Sequence, residues 1–333
     1  MSLTERCKMV DTKLIIIDGM TGAGKSTTAH YIARQLLKNG LKVKWYHEEE
    51  HEHPLACKPL DEKLSDDEKE KLFVSEYLEN WKKFTDEVLQ GNEIIIIESY
   101  LLQYTIIPLI RYEWSVDKIA QFVLNLLEIT TPLNPVVVSY FNKDVKRALN
   151  LNWERRGEDW KKWYIERVSK SKYATSRNIS GEEAAYQIWQ KFMDVNIRLK
   201  EEIKLRSIFI DNGKQNWKEI RSEIANFLQF LEYEELLYSE DYKLLTGNYI
   251  FTYDNEEHGK GEMIYKIYIH EKRLCIDAFW LGMKFIEVER NVFEIEGFPF
   301  RFKFVHNENN QVVCLEVVYS SFYLEKGMKF IKK

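Results

Sequence analysis

Apolar residues come in two rhythms along this chain. Up to about position 231 they form short unbroken runs: "KLIIID" (13–18), "EIIIIES" (93–99), "PVVVSYF" (135–141) and "RSIFID" (206–211). A fifth segment, "LKVKWYH" (41–47), alternates. Long stretches of helical period separate them. Unbroken β-branched runs leave no face for water, so the pattern predicts an α/β domain: a five-stranded parallel sheet covered by helices on both sides. Residues 25–39 read as a helix closed by Gly40. Ser65-Asp66-Asp67-Glu68 reads as a capping box that opens a helix running to about Gln90. After position 231 the rhythm changes. An acidic connector (232–246) leads to alternating segments: "NYIFTY", "EMIYKIYI", "RLCIDAF", "KFIEVE", "FRFKFV" and "VVCLEVV". That alternation predicts a small antiparallel β domain over 247–333, closed as a barrel or a sandwich.

Composition narrows the class. A chain of 333 residues suits two domains, and 45% hydrophobic with 30% charged residues suits a globular core. A net charge of −5 argues against nucleic acid or an anionic membrane as the general partner. Cys7, Cys57, Cys275 and Cys314 form no C-x-x-C pair, which predicts reduced thiols rather than a disulfide framework or zinc site. The polar start and the shortness of every apolar run predict a cytoplasmic protein with no membrane span.

The chemistry begins where the first strand stops. Gly19, Gly24, Lys25 and Ser26 fit G-x-x-x-x-G-K-[ST] between a buried strand and a helix. Such a loop, here with Thr21, Gly22, Ala23 and Thr27, wraps a phosphate in backbone N–H groups, and the helix N-terminus adds positive potential. Lys25 would reach the β- and γ-phosphates and the Ser26 hydroxyl would hold Mg²⁺. ATP or GTP binding is the expectation.

Over residues 13–231 the chain resembles the P-loop kinases of the thymidylate kinase and deoxynucleoside kinase type. The resemblance is carried by "DGMTGAGKSTTA", by the third-strand ending "IIIIESY" and by "YFNKDVKRALNLNWERRGED", which is similar to their strand, aspartate, helix and arginine-bearing lid. "SIFIDNGKQNWKEIRSEIANFL" is similar to their C-terminal unit beside the adenine site. The resemblance implies ATP with Mg²⁺ rather than GTP. It implies that Glu98 acts as general base or orients Mg²⁺, directly or through water, and that Arg155 and Arg156 close over the γ-phosphate. It also implies nucleotide contacts at Arg147 and Asp211, with Arg177 a further candidate. The plain alternatives are a Glu98 that caps a helix and arginines that make surface ion pairs. Trp153, Trp160 and Trp163 are expected to pack a core or seal a lid, and "LLQYTIIPLIRYEW" to line the acceptor cavity.

Two departures bear on the acceptor. Ser99 stands where thymidylate kinases carry an arginine, with Tyr100 next, and "WYHEEEHEHP" (45–54) replaces their Arg-Glu-Pro type segment. That segment carries four glutamates among three histidines, and the carboxylates repel a phosphate dianion. The expected reaction is transfer of the γ-phosphate of ATP to a hydroxyl of a small molecule, nucleoside-, nucleotide- or amino-sugar-like, with a neutral or cationic acceptor favoured. Glu48, Glu49 or Glu50, together with Tyr100, would meet it. The same stretch also reads as a metal group built on His47, His51 and His53, or as a solvated loop. The β domain resembles in pattern the small β domain appended to some penicillin-binding and serine-hydrolase-like proteins. His258, His270 and His306 are scattered in it, and it is expected to serve as a binding, lid or association module for a second copy or a protein partner. The rival function is a nucleotide-binding switch or sensor without an acceptor, signalling through that domain.

Overall fold

A computed structural model describes residues 11–59, 63–213, 216–235, 238–255, 259–321 and 324–333; Cys7 and His258 lie outside them. The chain divides into two compact units. One comprises the described residues up to Glu48 together with those from Glu52 to Glu232, and the other comprises Glu49–His51 and those from Tyr233 to Lys333.

The first unit runs β1 (Leu14–Gly19), α1 (Lys25–Lys38), β2 (Val43–Tyr46), α2 (Asp66–Gln90), β3 (Ile94–Glu98), α3 (Gln103–Arg111), α4 (Val116–Thr130), β4 (Val136–Phe141), α5 (Val145–Arg156), α6 (Glu158–Ser169), α7 (Lys172–Ser176), α8 (Gly181–Glu202), β5 (Ser207–Asp211) and α9 (Trp217–Leu228). The five strands form one parallel sheet in the order β2-β3-β1-β4-β5. Alternate residues of each run serve opposite faces. Ile15, Ile17, Ile96, Val136 and Val138 pack with α1 and α9 through Ile32, Leu36, Ile220 and Ile224. Leu14, Ile16, Ile95, Ile97 and Val137 pack with Trp81, Phe84, Ile106, Val123 and Ile188 from α2, α3, α4 and α8. Both faces are dry, which is why the strands read as unbroken apolar runs.

The helix signals act as expected. Ser65 accepts from the Glu68 amide while the Glu68 side chain accepts from the Ser65 amide, closing the capping box. Behind α1, the Gly40 amide donates to Leu37 O and the Leu41 amide to Leu36 O, so two end carbonyls are satisfied.

The second unit is a closed antiparallel barrel of β6 (Gly247–Asn255), β7 (Gly259–His270), β8 (Arg273–Asp277), β9 (Met283–Glu289), β10 (Val292–Ile295), β11 (Phe300–His306), β12 (Val312–Ser320) and β13 (Lys329–Lys332). Two of these, β10 and β13, are strands that the alternation did not single out. Along β11, Phe300, Phe302 and Phe304 point inward and Arg301 and Lys303 outward. Tyr249, Phe285, Phe293 and Phe330 join them in a packed aromatic core. His270 lies on the exposed side, 4.0 Å from Glu271.

Among the described residues no helix is long and apolar enough to cross a membrane.

Candidate active site

Five parallel strands deliver their C-terminal ends to one edge of the sheet, the edge where such sheets bind ligands. β1 and β3 are neighbours there, with Ile17 opposite Glu98. β1 ends in Asp18 and Gly19. Gly19 has φ +136°, and a Cβ on it would lie 2.2 Å from the Tyr140 carbonyl oxygen of β4. Gly24, at the entrance to α1, has φ +91°, and a Cβ there would lie 2.1 Å from the Trp217 ring of α9. Backbone approach this close admits no side chain.

Asp18 is fully buried. Its carboxylate accepts from the amides of Gly19 (2.7 Å), Leu102 (2.7 Å) and Gln103 (3.1 Å), so it ties the loop to the start of α3. Lys25 is 5% exposed and its Nζ donates to Met20 O (3.2 Å) and Gln103 Oε1 (2.8 Å). The Ser26 hydroxyl donates to Glu98 Oε2 at 2.6 Å. The other carboxylate oxygen of Glu98 accepts from Trp45 Nε1 at 3.2 Å and lies 3.8 Å from His47 Nε2. Ser99, buried with φ +68°, donates its hydroxyl to Glu48. A non-glycine residue held in that region is strained, and its neighbours over-determine it: its amide donates to Ile17 O and its carbonyl accepts from Tyr104.

These neighbours set the charges. Burial lifts the Asp18 carboxyl to about 6, against Lys25 and the three amides. Burial, then the nearby Glu48, lifts Glu98 from 4.5 to about 8 despite Ser26, Lys25 and Trp45. Glu48 moves the other way. Burial opposes its charge, but Lys25, His47, the Ser99 hydrogen bond and Arg156 outweigh burial and hold it below the usual range. The two carboxyls therefore share one proton near neutrality, and it sits on Glu98.

His53, buried and close to His47, stays neutral down to about 3. A carboxyl raised in the folded state stabilises while protonated, so its contribution is lost as pH climbs to the folded value; a lowered histidine loses its contribution as pH falls below 6.5. Between pH 6.5 and 8 the Glu98 proton is the one of these that leaves. Without ligand, stability should fall across that interval by at most about 2 kcal/mol, and Glu98→Gln should remove the slope. Thermal unfolding at a series of pH values checks this; parallel slopes in the two proteins would refute it.

Beside the loop, Met20, Thr21, Gly22 and Ala23 border a hollow whose opposite wall carries Arg147, Asn152 and Arg155 of α5 and Asn212 and Gly213 after β5. Asn212 Nδ2 donates to Ala23 O at 2.6 Å, fixing the wall to the loop. Asp211 is exposed, and its Oδ1 accepts from the Gly213 amide, so it shapes this turn without bordering the hollow. Arg155 and Arg156 part company. Arg155 borders the hollow, whereas Arg156 lies 4.5 Å over the Trp160 ring and acts on Glu48. Arg177 is engaged by Glu113 at 2.6 Å. Trp153 is buried and Trp160 stacks on Tyr164, while Trp163 is 52% exposed.

The Tyr100 ring stacks on His53 at 3.7 Å and its hydroxyl donates to Glu48 O at 3.4 Å. Glu49 and Glu50 fall in the short segment that groups with the second unit. Among the described residues no three His, Cys, Asp or Glu side chains gather as for a metal ion, and His47, His51 and His53 form no such group. The Ser26–Glu98 pair does suit a magnesium ion that takes its remaining ligands from phosphate and water.

Sequence order, sheet topology and glycine loop agree. The fold is a parallel α/β sheet in the order β2-β3-β1-β4-β5 with a glycine-rich loop between β1 and α1. No protein-family model matches the sequence, and no curated protein matches it. Among solved structures the chain is similar to thymidylate kinase from Ehrlichia chaffeensis, at 13% identity over 65% of this chain and 98% of that one, with a TM-score of 0.37. It is also similar to the YorR protein of Bacillus subtilis, determined in complex with phosphorylated GDP, at 14% identity over 65% of this chain and 95% of that one, TM-score 0.34.

Proposed function

We propose that this protein transfers the γ-phosphate of ATP to a hydroxyl of a small molecule whose reacting end carries no phosphate. The observation that carries the reading is the part-buried hydrogen bond from Ser26 to the fully buried Glu98, beside Lys25 and a loop whose Gly19 and Gly24 positions admit no side chain. Lys25 and the loop amides bind the β- and γ-phosphates, and the hollow bordered by Arg147 and Arg155 takes the nucleoside end. Ser26 and Glu98 would hold Mg²⁺, which supplies positive charge to the phosphate oxygens when bound. Glu48 stays ionised next to the P-loop lysine and accepts the proton of the incoming hydroxyl. Its charge, together with Ser99 in place of an arginine, disfavours a phosphorylated reacting end and suits a nucleoside or amino-sugar hydroxyl. Arg156 completes the cationic side of the site, acting on Glu48 from the end of α5.

Glu98→Gln should lower kcat about a hundredfold while ATP affinity changes little. Steady-state turnover with ATP titration measures both; unchanged kcat removes Glu98 from the reaction. The reading as a whole is tested by ADP release from ATP–Mg²⁺ across a panel of nucleosides and amino sugars. Acceptor-dependent release supports it. Slow release indifferent to every acceptor would favour a nucleotide switch instead.

A further inference from the structure

Gln103 is the first residue of α3 and stands where that helix meets the phosphate loop. Its amide donates to Asp18 Oδ1 at 3.1 Å and the Leu102 amide to Asp18 Oδ2 at 2.7 Å. Two of the orphan donors that open a helix are thus met by a carboxylate of the loop, and the place of Gln103 is fixed through its main chain. The side chain reaches Lys25, whose Nζ donates to Gln103 Oε1 at 2.8 Å. A second Nζ proton goes to Met20 O at 3.2 Å. An ammonium group has three N–H donors, so one is left for phosphate. The contact also fixes which way round the carboxamide lies. Lys25 Nζ only donates, so the atom facing it is the oxygen, and Nε2 turns its two N–H groups elsewhere. Among the described residues those groups meet no acceptor. Gln103 is half-buried, which leaves this end open to a ligand.

The oxygen and nitrogen of one carboxamide lie about 2.2 Å apart, so Nε2 is at most about 5 Å from Lys25 Nζ. Two donors that close can meet neighbouring oxygens of one phosphoryl group. The residue type suits the place. A second cation here would repel Lys25 and could not accept its N–H, and a carboxylate would repel the phosphate. A carboxamide accepts on one side and donates on the other. Gln103 comes from the α3 side, outside the β1–α1 loop, so the phosphate within its reach is the outer one. We propose that Gln103 holds the Lys25 ammonium through Oε1 and donates from Nε2 to the γ-phosphoryl group of a bound triphosphate. The inference rests on the kinase reading above only in taking Lys25 to meet the β- and γ-phosphates. Its consequence is discrimination: ADP has no γ-oxygens for Nε2 to meet, so Gln103 favours the triphosphate over the diphosphate product.

The probes are ADP and the β,γ-imido analogue of ATP, each with Mg²⁺, titrated calorimetrically into the full chain and into Gln103→Met. Methionine keeps the length of the side chain and removes both polar atoms. The two nucleotides differ at the γ-phosphoryl group, so comparing them within one variant cancels any general loosening of the loop. Gln103→Met should lose affinity for the triphosphate roughly tenfold more than for the diphosphate. Equal losses would make Gln103 a support for Lys25 alone, and no loss would make it a bystander; either result overturns the proposal. Gln103→Leu must show the same split, which keeps the test open should Gln103→Met fail to fold. A raised acceptor KM with no split between the nucleotides would put Nε2 on the acceptor instead, and also overturns it. Failure of the kinase reading is a separate result: no turnover with any acceptor while the nucleotide split is intact. A wild-type protein that binds neither nucleotide would end both.

Discussion

Lys25→Ala should reduce phosphate transfer by roughly a thousandfold or more, because positive charge on the phosphate being transferred is the largest single contribution such sites make. The lysine is buried between Met20 O and Gln103 Oε1 and lowers the pKa of Asp18, Glu48 and Glu98. Its removal therefore has a second consequence. Three buried carboxyls lose their shared cation, and each becomes easier to protonate. Lys25→Met keeps the packed stem and removes only the charge, so a deficit common to both variants belongs to the ammonium group. ADP release at saturating ATP is the measurement; turnover within tenfold of wild type would remove Lys25 from the chemistry.

The second large effect is on the scaffold. Gly19→Ala should destabilise the first unit by about 3 kcal/mol or more, combining backbone strain with a steric clash. The clash is with the Tyr140 carbonyl, part of β4, which is held in register by pairing from Ile15 to Gly19 and cannot retreat alone. Tyr140 is also anchored at its other end by a 2.6 Å hydrogen bond with Thr28. Gly40→Ala is the control. It too has positive φ, but a Cβ there meets nothing within 4 Å, so it should cost about 1 kcal/mol. Thermal unfolding of the two variants side by side decides it. Equal losses would mean that strain alone, not the approach of β4, makes Gly19 necessary.

What the sequence disclosed follows how local each signal was. The parallel strands were legible because their neighbours on both faces are apolar, and the glycine loop because its anion-binding groups are contiguous. Glu98 stood out as a carboxylate ending a run of four isoleucines. Its partners did not. Trp45 and His47 reach it from the end of β2 by way of the β2–β3 register, in which Tyr46 sits opposite Ile97. Gln103 meets Lys25 across 78 positions. Pairing that depends on which strands become neighbours has no signature in either strand alone. The resemblance implies a nucleotide contact at Asp211; the hollow beside the loop is bordered by the two residues after it, Asn212 and Gly213. In the barrel, "VFEI" and "KFIK" are four-residue strands, too short to show a period of two, and they became strands because closure needed them.

That closure has a bearing on association. β9 bonds to β10 on one side and β8 on the other, and the same holds around the ring through β13 and β6. Each strand thus has a neighbour on both sides, although the β8–β9 and β13–β6 seams are only two residue pairs long, and a visiting chain finds no full-length open edge to extend. Any copy or partner that this unit recruits must be recognised through outward side chains such as Ile264, Tyr319 and Ile331, which leaves specificity to surface shape and makes runaway fibre growth from this unit unfavourable.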